Sequence, residues 1–485
     1  STMKIDRSKL SNFSDLLVIM DYKEYYKINI NKRISFIKKF NYFYKLLGDE
    51  INRVIETNST LILFSAGHSK LVEHINFQKV YISEIVADFI SHISKDKNKI
   101  SIIENLSLNS IKNKHIDDVI ITSLEYAEDP IKLLKYINKN VGSDCKINII
   151  TSNIFWNPLF QIFEKFNFKF KHPRRNLITS NFIHNLCFLS EYELLAQKKI
   201  IIFPFKIPLL SQLLNNILAK LPLIKHFCLA NIFILKPIKK NTFKLKDFSV
   251  SIIVPCKNEE KNIKNVYSSL KKFGKETEVL FGDDKSSDDT KKEIMKLISS
   301  NNDFKIKYYK GPGVSKAQNV YKGFEIAKGD ILVIHDADNT VSPNELNFFL
   351  NTLVEKNQNL VIGTRFVYPM EEGAMKKSNY LGNILFSYLY SIIIQRKITD
   401  TLCGTKVIFK KDWKKIKKYC GSWGIEDRWG DFDILSGARK NYMKISEIPV
   451  NYKERLEEES KMTNTFFNGL RMLIICINSF FKLRT

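Results

Sequence analysis

At 485 residues and 44% hydrophobic content, the chain is long enough for two or three domains with substantial cores. Its seven cysteines are scattered, with no C-x-x-C pair and no His/Cys cluster, which argues against a zinc site or a disulfide framework and fits a reducing compartment. The net charge of +25 suits nucleic acid, anionic lipid or a phosphorylated small molecule. With no zinc finger, RNA-binding signature or base-reading basic helix in the sequence, no nucleic-acid partner is expected.

Ser1-Thr2-Met3 reads as a cloning remnant, and no secretory signal is expected after it. Residues 4–56 are expected to form a helical lead-in rich in Lys, Tyr and Phe. Strands are expected over 61–64, where the apolar run ends in a turn of small residues, and over 80–82, 118–122 and 147–151. Helices such as 130–138 lie between them. Strands alternating with helices predict a doubly wound parallel sheet. In residues 204–238 the polar positions Ser211, Gln212, Asn215, Asn216 and Lys220 recur at helical spacing on an apolar background. This is either the end of the first core or a surface-seeking helical hairpin. The basic stretch 236–247, with five lysines, is the expected boundary.

Beyond it, four expected strands each end in small, polar or acidic residues. The first ends in Pro255-Cys256-Lys257-Asn258-Glu259-Glu260. The second ends in Gly282-Asp283-Asp284-Lys285-Ser286-Ser287-Asp288-Asp289-Thr290, and the third in Gly311-Pro312-Gly313-Val314-Ser315-Lys316-Ala317-Gln318-Asn319. The fourth, Ile331 to Ile334, reads as a buried parallel strand closed by Asp336-Ala337-Asp338. Two carboxylates one residue apart at a strand end suit a hard divalent cation held partly by substrate phosphates. The rim of such a sheet is where open α/β folds bind ligands. A solvated Asp-rich turn is the plainer reading of the triad alone.

Residues 378–395 are uncharged, with Asn379, Asn383, Ser387, Ser391 and Gln395 at spacings of four, as in an interfacial or tightly packed amphipathic helix. Near the C-terminus the apolar run 472–477 is flanked by Arg471, Lys482 and Arg484. It fits a helix lying on a membrane surface or docked on the core.

The first half resembles a class I S-adenosylmethionine-dependent methyltransferase. Residues 61–67 stand where that family has its Gly-rich loop, Glu84 where its ribose-binding acid sits, and residues 118–130 look like the family's strand with its following segment. The resemblance implies a Rossmann-like domain over 4–235, with Gly67 and Glu84 contacting S-adenosylmethionine. The loop keeps one glycine in Ser65-Ala66-Gly67-His68-Ser69, and Phe64 stands about where an acid is expected. A degenerate copy kept as a scaffold or docking module is the accompanying alternative.

The second half, residues 248–485, resembles family 2 glycosyltransferases of the GT-A fold, carried by the four strand-end motifs in order. It is further similar to the polyprenyl-phosphate sugar synthase branch, through Gly363-Thr364-Arg365-Phe366, Gly382-Asn383, residues 399–406, residues 427–433 and residues 447–455. The resemblance implies an α/β chain of two doubly wound domains and transfer, with inversion, from a UDP- or GDP-linked sugar. The implied acceptor is membrane-associated: polyprenyl phosphate or a lipid-linked glycan. Pro255, Asn258 and Glu259 line the nucleotide pocket by this resemblance, Asp283 or Asp284 contacts the base, and Lys316, Gln318 and Asp336 complete the donor site. Asp336 and Asp338 hold Mg²⁺ or Mn²⁺ on the diphosphate. Gln318 stands where many relatives have Arg.

Arg365 reads as a phosphate clamp or a surface ion-pair partner, its place just after a strand at the same rim favouring the clamp, with Arg455 and Lys461 as further acceptor contacts, although Glu457, Glu458 and Glu459 crowd that run. A hydroxyl acceptor needs a base, for which Asp431, Asp433 and Asp400 are the candidates; an acceptor phosphate needs none. Helix capping is the competing role for Asp431 and Asp433. The expected location is cytoplasmic, peripheral on the inner face of the cell membrane. Rival readings are a bifunctional methyltransferase/glycosyltransferase and a non-catalytic nucleotide-sugar or lipid-binding protein.

Overall fold

The computed structural model describes residues 20–84, 86–94, 96–103, 114–122, 124–171, 176, 178–221, 223–239, 242–300, 304–370, 375–453 and 465–484. The chain divides into two compact units, Ser1–Ile238 and Lys239–Arg484. Each is α/β and built on one sheet rich in parallel pairs.

In the first unit, helices α1 (Met20–Ile28), α2 (Ile30–Lys39) and α3 (Asn41–Asn52) precede the sheet. Its strands are β1 (Thr60–Ser65), β2 (Lys79–Glu84), β3 (Ile100–Ile102), β4 (Asp118–Ile121), β5 (Lys146–Ser152), β6 (Tyr192–Ile200) and β7 (Ala230–Pro237), in the order 3-2-1-4-5-7-6. The first five run parallel, and β7 is antiparallel to both neighbours. Leu61, Ile62, Leu63 and Phe64 are covered on both faces, which is why β1 reads as an unbroken apolar run rather than an alternating one. The order reverses between β1 and β4, creating a switch point at their C-terminal ends.

α4 (Pro130–Asn140) begins where Asp129 accepts the Lys132 amide at 2.9 Å and Pro130 supplies a preset φ; it buries Leu133, Leu134 and Ile137. α5 (Asn157–Lys165), α6 (Ser180–Leu189) and α7 (Leu210–Asn216) follow. The end of the 204–238 stretch belongs to the first core, as a strand rather than at the helical spacing of its earlier part. Residues 230–237 form β7, every residue of it buried. An apolar run buried on both faces has no period by which to tell strand from helix.

The second unit contains β8 (Ser249–Cys256), β9 (Glu276–Asp283), β10 (Lys305–Lys310), β11 (Ile331–Ile334), β12 (Leu360–Thr364), β13 (Lys406–Phe409) and β14 (Ile445–Pro449), ordered 10-9-8-11-13-12-14. β8 to β11 are parallel, and β13 is antiparallel to β11 and β12. Helices α8 (Ile263–Ser269), α9 (Thr290–Ser300), α10 (Lys316–Ile326), α11 (Leu346–Glu355), α12 (Lys377–Ile394), α13 (Lys410–Lys417), α14 (Asp431–Lys440) and α15 (Thr465–Arg484) complete it. The four parallel strands bring their C-terminal loops to one rim, with antiparallel β13 closing it beside β11.

α12 packs on α15. Asn383 and Ser387 point into the protein beside Phe386, Tyr390, Ile393 and Ile394, while Tyr380, Leu381, Ile384, Leu385 and Tyr388 face outward. Asn383 Oδ1 and Ser387 Oγ have no hydrogen-bond partner among the described residues. α15 likewise buries Met472, Ile475 and Ser479 and exposes Phe466, Phe467, Leu470 and Ile477.

Candidate active site

The loops after β8 and β9 hold one another. Asn258, at φ +55°, accepts the Ser287 amide on its side-chain oxygen at 2.8 Å, and its own amide donates to Ser286 Oγ at 2.9 Å. The amide of Glu259 donates to Thr290 Oγ1, and that of Glu260 to Asp288. The buried Glu259 carboxylate accepts from Asn262 Nδ2 at 2.7 Å. Asp283 accepts the Ser286 amide at 3.0 Å, with the Tyr308 hydroxyl at 3.4 Å, and Asp284 accepts the Gly313 amide at 2.5 Å. Gly311 is required here, because a Cβ would lie 2.7 Å from Asp284 Oδ1. Pro255, Asn258, Glu259, Asp283 and Asp284 therefore share one strand-end cluster with the loop leading to α10. Ser315 caps α10 by accepting the Gln318 amide at 3.3 Å, which leaves the Gln318 side chain exposed on the first turn.

At the end of β11 the charged groups converge. Lys316 Nζ lies 2.5 Å from Asp336 Oδ1. Burial works against the charge on both. Asp336, with Asp431 and Asp338, nonetheless holds the Lys316 ammonium protonated, and Lys316 holds Asp336 below the usual carboxylate range. Asp338 accepts the Thr340 hydroxyl at 2.9 Å. The antiparallel register of β13, Lys406 opposite Ile334, brings Lys406 to the same rim, where its buried ammonium pairs with Asp431 and the Cys403 carbonyl. Burial raises the Asp431 pKa, against the opposing pull of Lys406 and Lys316. Gly404 lies tight against the centre: a Cβ there would sit 2.0 Å from Asp336 Oδ2. Gly404→Ala is therefore expected to displace the Asp336 carboxylate and lower donor turnover by at least about tenfold, with little loss of stability. Steady-state kinetics beside a thermal melt checks this.

Among the described residues no three His, Cys, Asp or Glu side chains form a ready-made metal cage. Asp336 and Asp338 offer hard oxygens from two carboxylates, and Asp336 already draws a cation, the Lys316 ammonium. One or two carboxylates completed by phosphate oxygens and water is a donor set that Mg²⁺ accepts, so the pair fits such an ion.

The remaining predicted residues fall in three places. Asp433 accepts the Tyr321 hydroxyl at 2.9 Å and the Gly421 amide at 3.1 Å, away from the Asp336–Lys316 pair. The cap of α14 is neither Asp431 nor Asp433 but Asp427, which accepts the amides of Phe432 and Asp433 at 2.8 and 3.0 Å; burial and Asp431 push it up to about 7. Arg365 and Asp400 form a buried two-bond pair, Nε to Oδ2 at 2.6 Å and Nη2 to Oδ1 at 2.9 Å, with the guanidinium over the Tyr452 ring. Asp400 also accepts the amides of Arg365 and Leu402. Asp400, whose oxygens accept from Arg365 and Leu402, is not presented as a base, whereas Arg365 commits two of its five N–H groups to the pair. Arg365→Ala is expected to cost about 3–5 kcal/mol by leaving Asp400 charged and buried, read as a lowered denaturation midpoint. Arg455 and Lys461 lie outside the described residues.

Sequence reasoning gave no role to Lys406, Gly404 or Asp427. The only signal for them was their place in the 399–406 and 427–433 motifs, since the pairing depends on the β11–β13 register.

In the first unit, Glu84 uses both oxygens on the turn after β1, accepting the Gly67 amide at 2.7 Å and the Ser69 amide at 3.2 Å. A Cβ on Gly67 would meet the buried Tyr26 ring at 3.1 Å, and buried Arg33 donates to the Gly67 carbonyl. Protein groups thus occupy the position where Gly67 and Glu84 were expected to receive S-adenosylmethionine, and the arrangement lends that cofactor no support.

An α/β unit with an acidic pair and lysines at the C-terminal rim of a parallel sheet is the setting of nucleotide-dependent group transfer. Residues 251–416 match the family described as Glycosyl transferase family 2, so the C-terminal unit carries a family 2 glycosyltransferase domain. The chain is 26% identical over 222 residues to the UDP-N-acetylglucosamine–dolichyl-phosphate N-acetylglucosaminyltransferase of Methanococcus voltae, covering 42% of this chain and 86% of that protein. It is 28% identical over 235 residues to the dolichol-phosphate mannosyltransferase of Pyrococcus furiosus, covering 46% of this chain and 62% of that one. Among solved structures, the mannosyltransferase PcManGT of Pyrobaculum calidifontis, in complex with GDP-Man and Mn²⁺, aligns at 16% identity and a TM-score of 0.33. That alignment covers 46% of this chain and 61% of PcManGT.

Proposed function

We propose that the chain is a metal-dependent, inverting glycosyltransferase that moves a sugar from a UDP- or GDP-sugar to a lipid-linked acceptor at a membrane surface, polyprenyl phosphate first among them. The observation that carries this reading is the convergence of Lys316, Asp336, Asp338, Lys406, Gly404 and Asp431 at one sheet rim, beside the loops of Asn258, Asp283 and Asp284. The relatives named for dolichyl-phosphate acceptors support the acceptor class.

The nucleotide lies along the loops after β8 and β9, where Asn258, Glu259 and the Asp283–Asp284 pair position base and ribose. Asp336 and Asp338 hold the divalent ion. A bound Mg²⁺ or Mn²⁺ supplies Lewis-acid stabilisation of the charge that develops on the leaving diphosphate. Lys316, which pairs with Asp336, would be placed to hydrogen-bond the same phosphates were Asp336 to hold the ion. The sugar is attacked from the face opposite the diphosphate, which inverts the anomeric centre. An ionised phosphate acceptor attacks unaided, whereas a hydroxyl gives its proton to Asp431.

The raised pKa of Asp431 separates these cases. Protonation removes the base, so with a hydroxyl acceptor kcat/KM falls as pH drops through a value above the ordinary carboxylate range, and Asp431→Asn abolishes that limb. With a phosphate acceptor the limb is not set by Asp431. A pH–rate profile of both forms is the measurement.

Membrane association is supported by the outward apolar faces of α12 and α15, neither of which contains an acidic residue. Residues 466–483 form a helix long and apolar enough to cross a membrane by length and composition. The first unit, whose strand order 3-2-1-4-5-7-6 with antiparallel β7 fits a methyltransferase-type sheet, serves in this reading as a scaffold or docking module. The deciding experiment incubates the chain with Mn²⁺ or Mg²⁺, labelled UDP- and GDP-sugars and polyprenyl phosphate. Label entering the organic phase with one donor is expected; no turnover of any donor overturns the proposal.

A further inference from the structure

The N-terminal unit carries an apolar face that its own core does not cover. α5 contains Leu159, Phe160, Ile162 and Phe163, yet none of its residues is buried. Just beyond it, Phe166 and Phe168 are each 64% exposed. A second segment, residues 205–227, adjoins the start of this one. The Phe155 and Phe227 rings meet edge to face at 5.2 Å, and Trp156 Nε1 donates to the Phe227 carbonyl at 2.9 Å. In that segment Leu209 is 81% and Leu223 83% exposed, and Leu209 is held at φ +61°, a conformation uncommon for a bulky residue. Monomeric proteins rarely leave contiguous apolar surface of this kind in water.

The charge around the face is predominantly positive. No acidic residue occurs between Glu193 and Asp247, whereas Lys206, Lys220 and Lys225 fall within the second segment; Glu50, from an earlier helix, acts on Lys220. Around α5, Lys165, Lys169 and Lys171 accompany a single acid, Glu164, which Lys169 neutralises at 2.5 Å. Apolar side chains standing clear of the fold among lysines match the two layers of an anionic bilayer surface, acyl chains beneath and phosphate headgroups above. We propose that residues 154–168, 205–221 and 223–227 dock the N-terminal unit on a bilayer containing anionic lipid, as a contact separate from α12 and α15. Nothing in this face depends on the sugar-transfer reading.

The test uses the full chain and vesicles of phosphatidylcholine with and without phosphatidylglycerol. Cosedimentation is expected to strengthen with phosphatidylglycerol and to weaken with salt. Leu209→Glu with Leu223→Glu is expected to lower binding at least about tenfold while leaving nucleotide-sugar turnover in detergent unchanged. Both side chains are over four-fifths exposed, so the fold should survive, and a thermal melt checks it. Should the double variant fail to fold, brominated-lipid quenching of tryptophan fluorescence gives an independent reading: part of the quenching is expected to vanish in Trp156→Phe. Unchanged vesicle binding in the folded double variant, or quenching indifferent to Trp156, overturns the proposal. So does a shift from dimer to monomer by light scattering with vesicle binding intact, which would make the face a contact between copies.

Discussion

Asp336→Asn is expected to lower sugar transfer by about 10²–10³-fold, and the double change with Asp338→Asn to abolish metal-dependent nucleotide binding. The strand end holds two carboxylates, and Lys316 lies against one of them at 2.5 Å. An amide keeps the shape of Asp336 but loses the charge that attracts both the lysine and a divalent ion. Lys316 would then remain half-exposed beside Asp338 and Asp431, so the fold should keep most of its stability. Two measurements separate the roles: Mn²⁺ titration in the presence of UDP or GDP, and a melt of the apo chain. Transfer within about threefold of the parent in Asp336→Asn would remove the acidic pair from the mechanism. Lys316→Met provides a contrast. If the lysine only neutralises Asp336 in the apo state, metal affinity should rise in that variant. If it also clamps the diphosphate, turnover should fall even at saturating metal.

The rim of the second sheet was legible because its central parallel strands β8, β9 and β11 are largely buried and end abruptly in chemistry. β11 with Asp336 and Asp338 is the plainest case, and the loops holding Asn258, Asp284 and Ser315 follow the same pattern. What stayed illegible involves partners chosen by the three-dimensional register. Lys406 meets Asp431 because β13 runs antiparallel beside β11, and nothing local to either residue announces it. Asp427 rather than Asp433 caps α14, a choice made by where the chain turns at Gly430, which has φ +82°. Arg365 and Asp400, 35 residues apart, each look like a free functional group until they are seen together. The stripe at Asn383 and Ser387 was visible, but periodicity states only that a helix has two faces. Here Asn383 and Ser387 turned inward together with Phe386, Tyr390 and Ile394, while a second apolar face turned outward, so the helix is apolar on both sides. In the first unit, Glu84 fell where a ribose-binding acid was expected, yet its oxygens hold the neighbouring turn.

The Lys406–Asp431 pair carries the second large effect, because structure and catalysis make different demands on it. Lys406 is 2% exposed, so Asp431→Ala leaves a buried ammonium bonded to the Cys403 carbonyl, with the Asp336 charge acting on it from nearby. A loss of about 3–5 kcal/mol is expected in the unfolding of this variant. Lost activity in Asp431→Ala alone would therefore prove little about proton transfer. Replacing the pair together, Lys406→Met with Asp431→Leu, removes both charges and fills similar volume, and stability should return to within about 1–2 kcal/mol of the parent or exceed it. If Asp431 serves only to neutralise Lys406, transfer recovers with stability. If Asp431 takes a proton from a hydroxyl acceptor, transfer stays down by about 10²–10⁴-fold in a folded protein. If the acceptor is a phosphate, the double variant retains turnover, and the loss in Asp431→Ala is one of fold alone. Chemical denaturation and initial rates on the same three proteins thus decide between a structural ion pair and a base, and with it between the two acceptor chemistries.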